Sequence, residues 1–501
     1  MTNSHASRPG RPGRAPGAGH RHLTEGPITR TLVTYSLPLL GANVLQSLNG
    51  SVNQFWVAHL LGVTAITAIG NANLIMFLLL GAVFGVSMAA NILVGQSVGA
   101  GDLPMVKRVM GTTTTFFVVL SVTLALVGWA LSPTVLAIMQ TPAAARTEAI
   151  VYLRIVFISM PFMYFFAFLQ MAHRGAGDSK TPFYFMTLAV ALDIVLNPLL
   201  IAGIGPFPKL GIAGSAASTL IGQGLSLVLL MVHLYRRHSL IVLRLDELSL
   251  LKPDLRILKP LILRGLPMGA QMLLMSMAAI VMIGFVNSYG AVTAAAYVGA
   301  QQVWNYIQMP GMAIGASVSS MAAQNVGAGL WDRVSKVALA GLVVSVLVTG
   351  TITVAIYLIG PLPLYLFLPL GSPTIPIALH INRIVLWSFV LFNATFCLTG
   401  VVRATGAVWA PLIFLFVSMW MMRIPFTALL TSRFGAEAIW WSFPLGTIAS
   451  SILSALYYRF GGWRRIRMLE PEASGETGDV GLAAPVMDHD AEELTPERAE
   501  A

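Results

Sequence analysis

The segment VGQSVGAGD at residues 94–102 recurs as AQNVGAGLWD at residues 323–332. Gln96 in the first copy corresponds to Gln324 in the second, an offset of 228 residues (324 minus 96). Further residue pairs recur at an offset of 228 or 229. They are Leu37 and Leu266, Pro38 and Pro267, Gly62 and Gly290, Arg154 and Arg383, Arg174 and Arg403, and Pro182 and Pro411. The chain therefore contains two copies of a unit of about 230 residues, a plan that is common in transporters whose substrate site lies between repeats.

The composition indicates a membrane protein. Hydrophobic residues make up 56% of the chain and charged residues only 10%, whereas about 25% of the residues in a typical soluble domain are charged. The charges cluster between apolar runs of roughly 20 residues, the length that crosses a bilayer as a helix. Only helices and closed barrels span a bilayer, and these runs lack the alternating pattern of barrel strands. We therefore predict an all-α polytopic membrane protein.

We predict about twelve transmembrane helices, six in each repeat, around a central cavity. Because six is an even number, each repeat begins and ends on the same side of the membrane, and the two repeats are parallel. The predicted helices cover residues 31–58, 64–97, 111–138, 149–171, 183–203, 212–235, 260–287, 292–325, 336–360, 376–404, 410–430 and 438–460.

The predicted helices divide the chain into five segments. An N-terminal six-helix bundle covers residues 28–235, a C-terminal six-helix bundle covers residues 260–465, and a basic cytoplasmic linker at 236–259 joins them. Residues 1–27 and 466–501 are predicted to be disordered cytoplasmic tails. The first tail is rich in Gly, Pro and Arg and the second is acidic, so neither has enough apolar residues to bury a core.

Positive charge is distributed unevenly between the loops on the two sides. Lys and Arg collect in the N-terminal tail, in the even-numbered loops and after the last helix. Because cytoplasmic loops carry such an excess, we predict a multi-pass protein of the bacterial plasma (inner) membrane with both termini cytoplasmic. The asymmetry accounts for the net charge of +10, so no nucleic-acid partner is needed. The expected partners are small organic substrates and the lipid bilayer, and the expected functional unit is a monomer.

The sequence shows no pattern that predicts enzymatic chemistry. Its single cysteine, Cys397, lies in an apolar helix, the histidines lack metal-ligand spacing, and there is no phosphate loop or nucleophile elbow. We expect no catalytic residue, metal site or cofactor. Transport would then be driven by an ion gradient or by the substrate's own gradient, unless a separate ATPase subunit exists. A membrane enzyme or a receptor would need a polar catalytic cluster or a folded extramembrane domain, and the sequence suggests neither.

Several motifs resemble those of the multidrug and toxic compound extrusion (MATE) transporters, over about residues 28–465. They are the paired Gln-x-x-Gly-Ala segments, HRGAGDSKTP at 173–182, MMRIPF at 421–426, GAEAIWWSFPLG at 435–446 and YYRFGGW at 457–463. The Arg-Ile-Pro motif and the last motif are most similar to the DinF-like branch. The resemblance implies an ion-coupled antiporter that exports drugs or other amphipathic, often cationic, organic compounds by alternating access. A flippase for a lipid-linked or amphipathic substrate is the alternative.

Asp193 differs from most acidic residues of the chain, which lie in loops or tails. It lies in the fifth predicted helix, about 20 Å from Lys180 at its cytoplasmic end. Asn197 follows at i+4 on the same helix face. An ionisable residue at this depth is costly, so it is by default a candidate functional residue. The alternative is that Asp193 packs against a neighbouring polar helix and never titrates.

The resemblance implies an ion-coupling site around Asp193, but the order of its residues differs from that of the family. DinF-like transporters carry an acid on the first helix, fifteen residues after a proline, and in this chain that position, counted from Pro38, is Asn53. Their fifth helix has Asn before Asp-Pro, whereas here Asp193 precedes Asn197. A single buried acid is suited to H+ exchange, because a cation entering nearby favours its charged form. Na+ would prefer more oxygen ligands, which Asn53, Asn197 and Thr219 could supply.

The predicted substrate cavity is polar on one side and rich in thioethers on the other. Gln46 and Asn49 line it in the first half. Methionine is flexible and polarizable, which suits a promiscuous surface. The cavity residues predicted in the second half are Met275, Met282, Met422 and Arg423. Arg423 either clamps neighbouring helices through backbone carbonyls or contacts an anionic group of the substrate. Pro38 is the predicted conformational hinge, because a proline inside a helix removes a backbone hydrogen bond.

Overall fold

The structure is a computed structural model that describes residues 23–61, 63–139, 141 and 143–469. Most of both predicted tails lies outside the described residues. The α-helices are α1 (Ile28–Leu61), α2 (Val63–Gly99), α3 (Leu103–Ile138), α4 (Ala143–Gly175), α5 (Lys180–Ala202), α6 (Ile212–Arg236), α7 (Leu255–Asn287), α8 (Ala291–Gly327), α9 (Trp331–Ile359), α10 (Thr374–Val385), α11 (Ser388–Ala404), α12 (Trp409–Phe416), α13 (Ile424–Phe434) and α14 (Glu437–Phe460). Short 3-10 helices cover Leu245–Leu251, Leu364–Leu366 and Gly462–Arg465, and a π-helical segment covers Val417–Arg423.

These helices account for about twelve membrane spans. In the described part of the chain, nine helical segments are long and apolar enough to cross a membrane, and α10 with α11 forms a tenth span. Helices α1 and α8 contain 34 and 37 residues, which is long enough to span a bilayer. They are less apolar because amide side chains such as those of Asn49 and Gln308 interrupt their sequences. The prediction of an all-α polytopic membrane fold is confirmed.

Two spans differ from the regular helices that the sequence predicts. The tenth span is bent by 46° between Val385 and Ser388, where the chain has neither proline nor glycine. The eleventh span is continuous from Trp409 to Phe434 but contains the π-helical segment. Such π-helical turns are rare, and they rotate the residues that follow relative to an ideal α-helix.

Left-handed turns follow the same helices in both halves of the chain. Gly101 after α2 and Gly329 after α8 have φ values of 74° and 72°. Gly177 after α4 and Gly406 after α11 have φ values of 89° and 100°. Only glycine adopts these angles without strain. The last glycine of each copy of the repeated motif, Gly101 and Gly329, is therefore explained by the turns that end α2 and α8.

Both ends of the helical region lie on one side of the molecule, which we call the tail side. The backbone N–H of Leu23 donates to Oε1 of Gln324 at the end of α8, at 3.0 Å. Nη2 of Arg464, just after α14, donates to Oγ of Ser335 near the start of α9, at 3.4 Å. The opposite side, where α1 ends and α14 begins, is called the loop side.

Small residues of α2 and α8 bring the backbones of the two halves into contact. A Cβ atom on Gly85 would overlap the backbone of Gly265 and Gly269 on α7. On the tail side, a Cβ atom on Gly99 would overlap the carbonyl oxygen of Gln324, and one on Gly327 would overlap that of Gln96. Small residues allow helix backbones to approach this closely in a membrane.

The two glutamines of the repeated motif make equivalent bonds across this contact. Nε2 of Gln96 donates to the carbonyl oxygen of Ala404 at 2.7 Å, and Nε2 of Gln324 donates to that of Gly175 at 2.8 Å. Ala404 and Gly175 are themselves related by the repeat offset of 229 residues (404 minus 175). We call Gln96, Gln324 and the glycines Gly99 and Gly327 the glutamine latch. The repeated motif therefore joins the two halves on the tail side.

The pseudo-twofold axis of the repeat passes close to α2 and α8. Oγ of Ser320 donates to Oδ1 of Asn91 at 3.3 Å, and these two residues are 229 positions apart. Repeat-related residues contact each other only near the axis that relates the two copies. In the described part of the chain, the hydrogen bonds that join α1–α6 to α8–α14 lie on the tail side.

The segment between the two halves is held against α3. Nζ of Lys107 forms an ion pair with Glu247 at 2.6 Å and also donates to the carbonyl oxygen of Val242 at 2.7 Å. Oγ1 of Thr115 donates to the carbonyl oxygen of Leu251 at 2.6 Å. The hydrogen bond from Lys107 holds the pKa of Glu247 below its usual range. The predicted linker thus contains an ordered segment fixed to the first half.

Candidate functional site

Asp193 lies at the centre of a polar cluster between α1, α5 and α6. It is 3% exposed. Oγ of Ser218 donates to its Oδ1 at 2.6 Å, and Nδ2 of Asn49 donates to its Oδ2 at 3.0 Å. Oγ1 of Thr219 lies 3.2 Å from Oδ1. All of these partners are neutral, and no ion pair to Asp193 is found among the described residues. The carboxyl group can therefore change its charge without breaking a salt bridge.

Both hydroxyl partners of Asp193 have a second acceptor. The carbonyl oxygen of Ser215 lies 2.9 Å from Oγ of Ser218 and 3.3 Å from Oγ1 of Thr219. A hydroxyl group has one hydrogen, so each can donate either to the carboxylate or to this carbonyl. When the carboxyl group is protonated, its own O–H can donate to a hydroxyl oxygen while that hydroxyl turns to the carbonyl. The cluster thus satisfies both protonation states of Asp193.

A second set of amides and hydroxyls lies one helical turn away. Oδ1 of Asn53 accepts from Nδ2 of Asn197 and from Oγ of Ser215, both at 2.8 Å. Asn197 is 1% exposed, and its own Oδ1 is buried without a hydrogen-bond partner among the described residues. We call the two sets together the N-half polar cluster: Asn49, Asn53, Asp193, Asn197, Ser215, Ser218 and Thr219.

Small residues on α6 allow this cluster to form. Cβ atoms on Gly214 and Gly222 would lie 2.6 Å from the backbone of Leu200 and 2.9 Å from the carbonyl oxygen of Ala189 on α5. The two helices therefore pack with their backbones close together. Ser215, Ser218 and Thr219 lie between the two glycines, so their short side chains reach Asp193 on α5.

The structure brings together the four residues predicted for ion coupling, Asp193, Asn53, Asn197 and Thr219. Asn49, predicted for the substrate cavity, also belongs to this cluster because it bonds to the carboxylate. Ser215 and Ser218 were missed by the sequence reasoning. Their spacing from Thr219 places all three on one face of a helix, and that face could have been matched to the Asp193 face of α5.

The predicted residues on α1 and α7 occupy different environments. Gln46 is exposed and Met275 is 37% exposed, so neither is buried in the helix packing. Met282 differs from the expected cavity position, because it is fully buried in the hydrophobic core with Val286 and Ala296. Pro38 lies inside α1, which continues as a helix on both sides of it.

Arg423 and Met422 lie where the π-helical segment ends, and both are half-buried. The guanidinium carbon of Arg423 lies 3.3 Å from the ring centroid of Phe443 on α14. Nε of Arg423 is buried and has no hydrogen-bond partner among the described residues. No carbonyl in the described part of the chain accepts a hydrogen bond from this side chain, so it is not held as the predicted backbone clamp.

The described residues contain no group of three or more His, Cys, Asp or Glu side chains that could hold a metal ion. Among the described residues, the buried polar side chains are amides, hydroxyls, the carboxyl group of Asp193, the imidazole of His173 on α4 and the guanidinium of Arg403. This set can exchange a proton, coordinate a small monovalent cation or bind polar groups of an organic molecule.

Comparison with known proteins identifies relatives of the whole helical region. The MatE family model matches residues 38–199 and 267–429, one match in each repeat. The chain is 35% identical over 435 residues to the probable multidrug resistance protein YoeA of Bacillus subtilis, covering 86% of this chain and 94% of that protein. It is 29% identical over 446 residues to the probable multidrug resistance protein YpnP of the same organism, covering 89% of this chain and 98% of that protein.

The fold is also found among solved structures. One described as the outward-facing conformation of a multidrug resistance MATE family transporter of the MOP superfamily matches with a TM-score of 0.80 at 20% identity. The match covers 89% of this chain and 97% of that one. The predicted architecture of two parallel repeats is therefore confirmed.

Proposed function

The chain belongs to the MatE family of multidrug transporters, and on that premise we propose that it is a proton-coupled antiporter for amphipathic, often cationic, organic compounds. It is a transporter and not an enzyme. The observation that supports proton coupling is the hydrogen bonding of Asp193. Its hydroxyl partners have a second acceptor, so the site can form hydrogen bonds to both the neutral and the charged carboxyl group.

The proposed cycle uses competition at this one carboxyl group. A cationic substrate that enters beside Asp193 favours the carboxylate and expels its proton. Ser218 and Thr219 then turn their hydrogens from the Ser215 carbonyl to the carboxylate. A proton arriving from the other side of the membrane restores the neutral carboxyl group of Asp193 and weakens substrate binding. Alternating access between the two bundles, 28–235 and 260–465, converts this competition into exchange.

Sodium is the second candidate for the coupling ion. The unpartnered Oδ1 of buried Asn197 supports it, because a free oxygen could serve as a ligand. The other oxygens of the cluster, on Asp193 and Asn53, already accept hydrogen bonds from two or three donors. A bound Na+ would have to displace several of these donors, whereas a proton only redirects them. We therefore favour H+, and no resident cofactor is needed.

The proposed orientation places the tail side in the cytoplasm of a bacterial cell, with the linker 236–259 on the same side. The glutamine latch then closes the transporter to the cytoplasm, and this conformation would release substrate outward.

Pro38 is the proposed hinge of α1, and a monomer contains every element of the mechanism. A flippase for a lipid-linked amphiphile would use the same movement and differ only in the substrate.

Substrate efflux from proteoliposomes under an imposed pH gradient tests the proposal. We expect Asp193→Asn to abolish gradient-driven efflux, because an amide cannot exchange a proton, while the protein still inserts. Asp246→Asn is the matched control, since Asp246 is exposed in the linker. Full gradient-driven efflux by Asp193→Asn would show that Asp193 is not the coupling residue. Efflux by the wild type that is driven only by a Na+ gradient would favour Na+ as the coupling ion.

A further inference from the structure

Arg423 is a cation without a counter-ion inside the C-terminal half. None of its nitrogens has a hydrogen-bond partner in the described part of the chain, and Nε is fully buried. It lies in the span from Trp409 to Phe434, about 20 Å from the tail side at 1.5 Å per residue. A charged side chain at this depth is costly, and it is usually paired or functional. Packing alone does not explain an arginine here.

The guanidinium of Arg423 is stacked on an aromatic ring but makes no hydrogen bond in the described part of the chain. Phe443 covers one face of the group, an arrangement that favours a cation electrostatically. On α14, a Cβ atom on Gly446 would lie 3.6 Å from Cβ of Arg423, which is ordinary van der Waals contact, so the arginine stem packs directly against this part of α14. The N–H groups of a guanidinium point outward in its plane, where they match the two oxygens of a carboxylate or phosphate group.

The π-helical segment positions this side chain. Arg423 is its last residue, so the rotation that the segment introduces sets the direction in which Arg423 projects. Segments of this kind occur frequently at functional sites. The neighbouring turn is anchored separately, because Nε1 of Trp420 donates to the carbonyl oxygen of Leu274 on α7 at 3.3 Å.

The two halves place opposite charges at nearly equivalent positions. Adding the repeat offset of 229 to Asp193 gives Met422, the residue before Arg423. Asp193 and Arg423 follow the tail-side starts of their spans, Lys180 and Trp409, by 13 and 14 residues. They therefore lie at a similar depth. One half presents an acid with neutral partners, and the other half presents a guanidinium without a hydrogen-bond partner among the described residues.

We propose that Arg423 is the subsite for an anionic oxygen group, a carboxylate or phosphate, of the transported amphiphile. The preferred substrates are then zwitterions, whose cationic group faces the N-half polar cluster and whose anionic group binds Arg423. This inference rests on the proposed export function and names the substrate class. Arg403 also has unpartnered nitrogens, but it bonds to Gln271 and lies next to the closed glutamine latch. Arg383 is exposed on α10.

A pair of dyes that differ in one carboxyl group tests the subsite. Rhodamine 110 is a zwitterion at neutral pH, and rhodamine 123 is its methyl ester, which keeps the cation and lacks the carboxylate. Binding is measured by fluorescence anisotropy on the purified full-length protein, without any gradient. We expect the wild type to bind rhodamine 110 about 10- to 100-fold more tightly than rhodamine 123, the range for a hydrogen bond between charged groups.

Three variants separate a binding role from a structural one. Arg423→Gln should remove the preference by weakening only rhodamine 110, and Arg423→Lys should retain part of it because the charge remains. Arg383→Gln should bind both dyes as the wild type does. The proposal is overturned if the wild type shows no preference, including no measurable binding of either dye, or if Arg423→Gln weakens both dyes equally. If the protein binds with this preference but shows no gradient-driven efflux, the result supports the Arg423 subsite and contradicts the proposed proton coupling.

Discussion

Ser218 makes the shortest hydrogen bond to Asp193, and its hydrogen can also reach the carbonyl oxygen of Ser215. That choice gives the carboxyl group a donor when it is charged and an acceptor when it is neutral. A buried carboxylate that loses a donor becomes more costly. Ser218 is therefore expected to matter for coupling as well as for packing.

We expect Ser218→Ala to reduce gradient-driven efflux about tenfold, the effect of losing one hydrogen bond to a charged group. Ser226→Ala is the matched control, because Ser226 is also fully buried on α6 but its hydroxyl has no hydrogen-bond partner among the described residues. The measurement is the initial efflux rate at equal protein content. Equal rates for both alanine variants would contradict a role for the Ser218 hydroxyl.

Sequence reasoning found Asp193 and Asn197 because charged and amide residues stand out in an apolar helix. It could not rank Ser218 above other serines, since the distance from a hydroxyl to a carboxylate depends on how closely α5 and α6 pack. The lack of a hydrogen-bond partner for Arg423 among the described residues was likewise hidden, because the π-helical segment that sets its direction has no sequence signature here. Met282 was misplaced because the repeat offset gives an equivalent position and not an equivalent environment.

The limits of some helices were predicted to within a few residues, whereas the start of α3, predicted at 111, lies at Leu103. Helix α5, predicted at 183–203, covers Lys180–Ala202, and α14, predicted at 438–460, covers Glu437–Phe460. The break between α10 and α11 was missed, because no proline or glycine marks it in the sequence. The repeated motif was recognised in the sequence, but its contact with its own copy appears only in the fold.

That contact gives a prediction for α2 and α8. We expect Gly99→Ala and Gly327→Ala to loosen the glutamine latch, because an added Cβ would overlap the carbonyl oxygen of Gln324 or Gln96. Ser320, which is 1% exposed, reports on opening when it is changed to cysteine in a Cys397→Ser background. Both alanine variants should label faster with a water-soluble thiol reagent.

Gly350→Ala is the control for this experiment, since a Cβ atom there would meet no atom within 4 Å. It should leave the labelling rate of the cysteine at position 320 unchanged. Unchanged labelling in Gly99→Ala and Gly327→Ala as well would show that the latch does not hold the tail side closed.

For the whole molecule, the duplicated sequence determines where the halves meet. Repeat-related residues Asn91 and Ser320 touch near the pseudo-twofold axis, and the latch closes the tail side around them. The predicted division into bundles at 28–235 and 260–465, and the predicted orientation in the membrane, remain predictions. Loop charge gives the orientation through the positive-inside rule, which the contacts within the protein do not record.

The orientation is tested with single cysteines in the Cys397→Ser background. Ser249→Cys lies in the exposed linker, and Ser288→Cys lies in the exposed turn between α7 and α8 on the loop side. An impermeant thiol reagent added to intact cells should label only position 288. Labelling of position 249 from outside would invert the topology and, with it, the assignment of this conformation as closed to the cytoplasm.

The central claim is that a proton and a cationic substrate compete for Asp193. It is tested most directly by proton release on binding, measured with a pH indicator in weakly buffered detergent solution. With rhodamine 123, a cation without a carboxylate, the wild type should release up to about one proton per dye bound when the solution is acidic enough to protonate a buried carboxyl group. Asp193→Asn should release none while binding the dye more weakly. If the wild type binds the dye but releases no proton at every pH tested, the result would contradict the account.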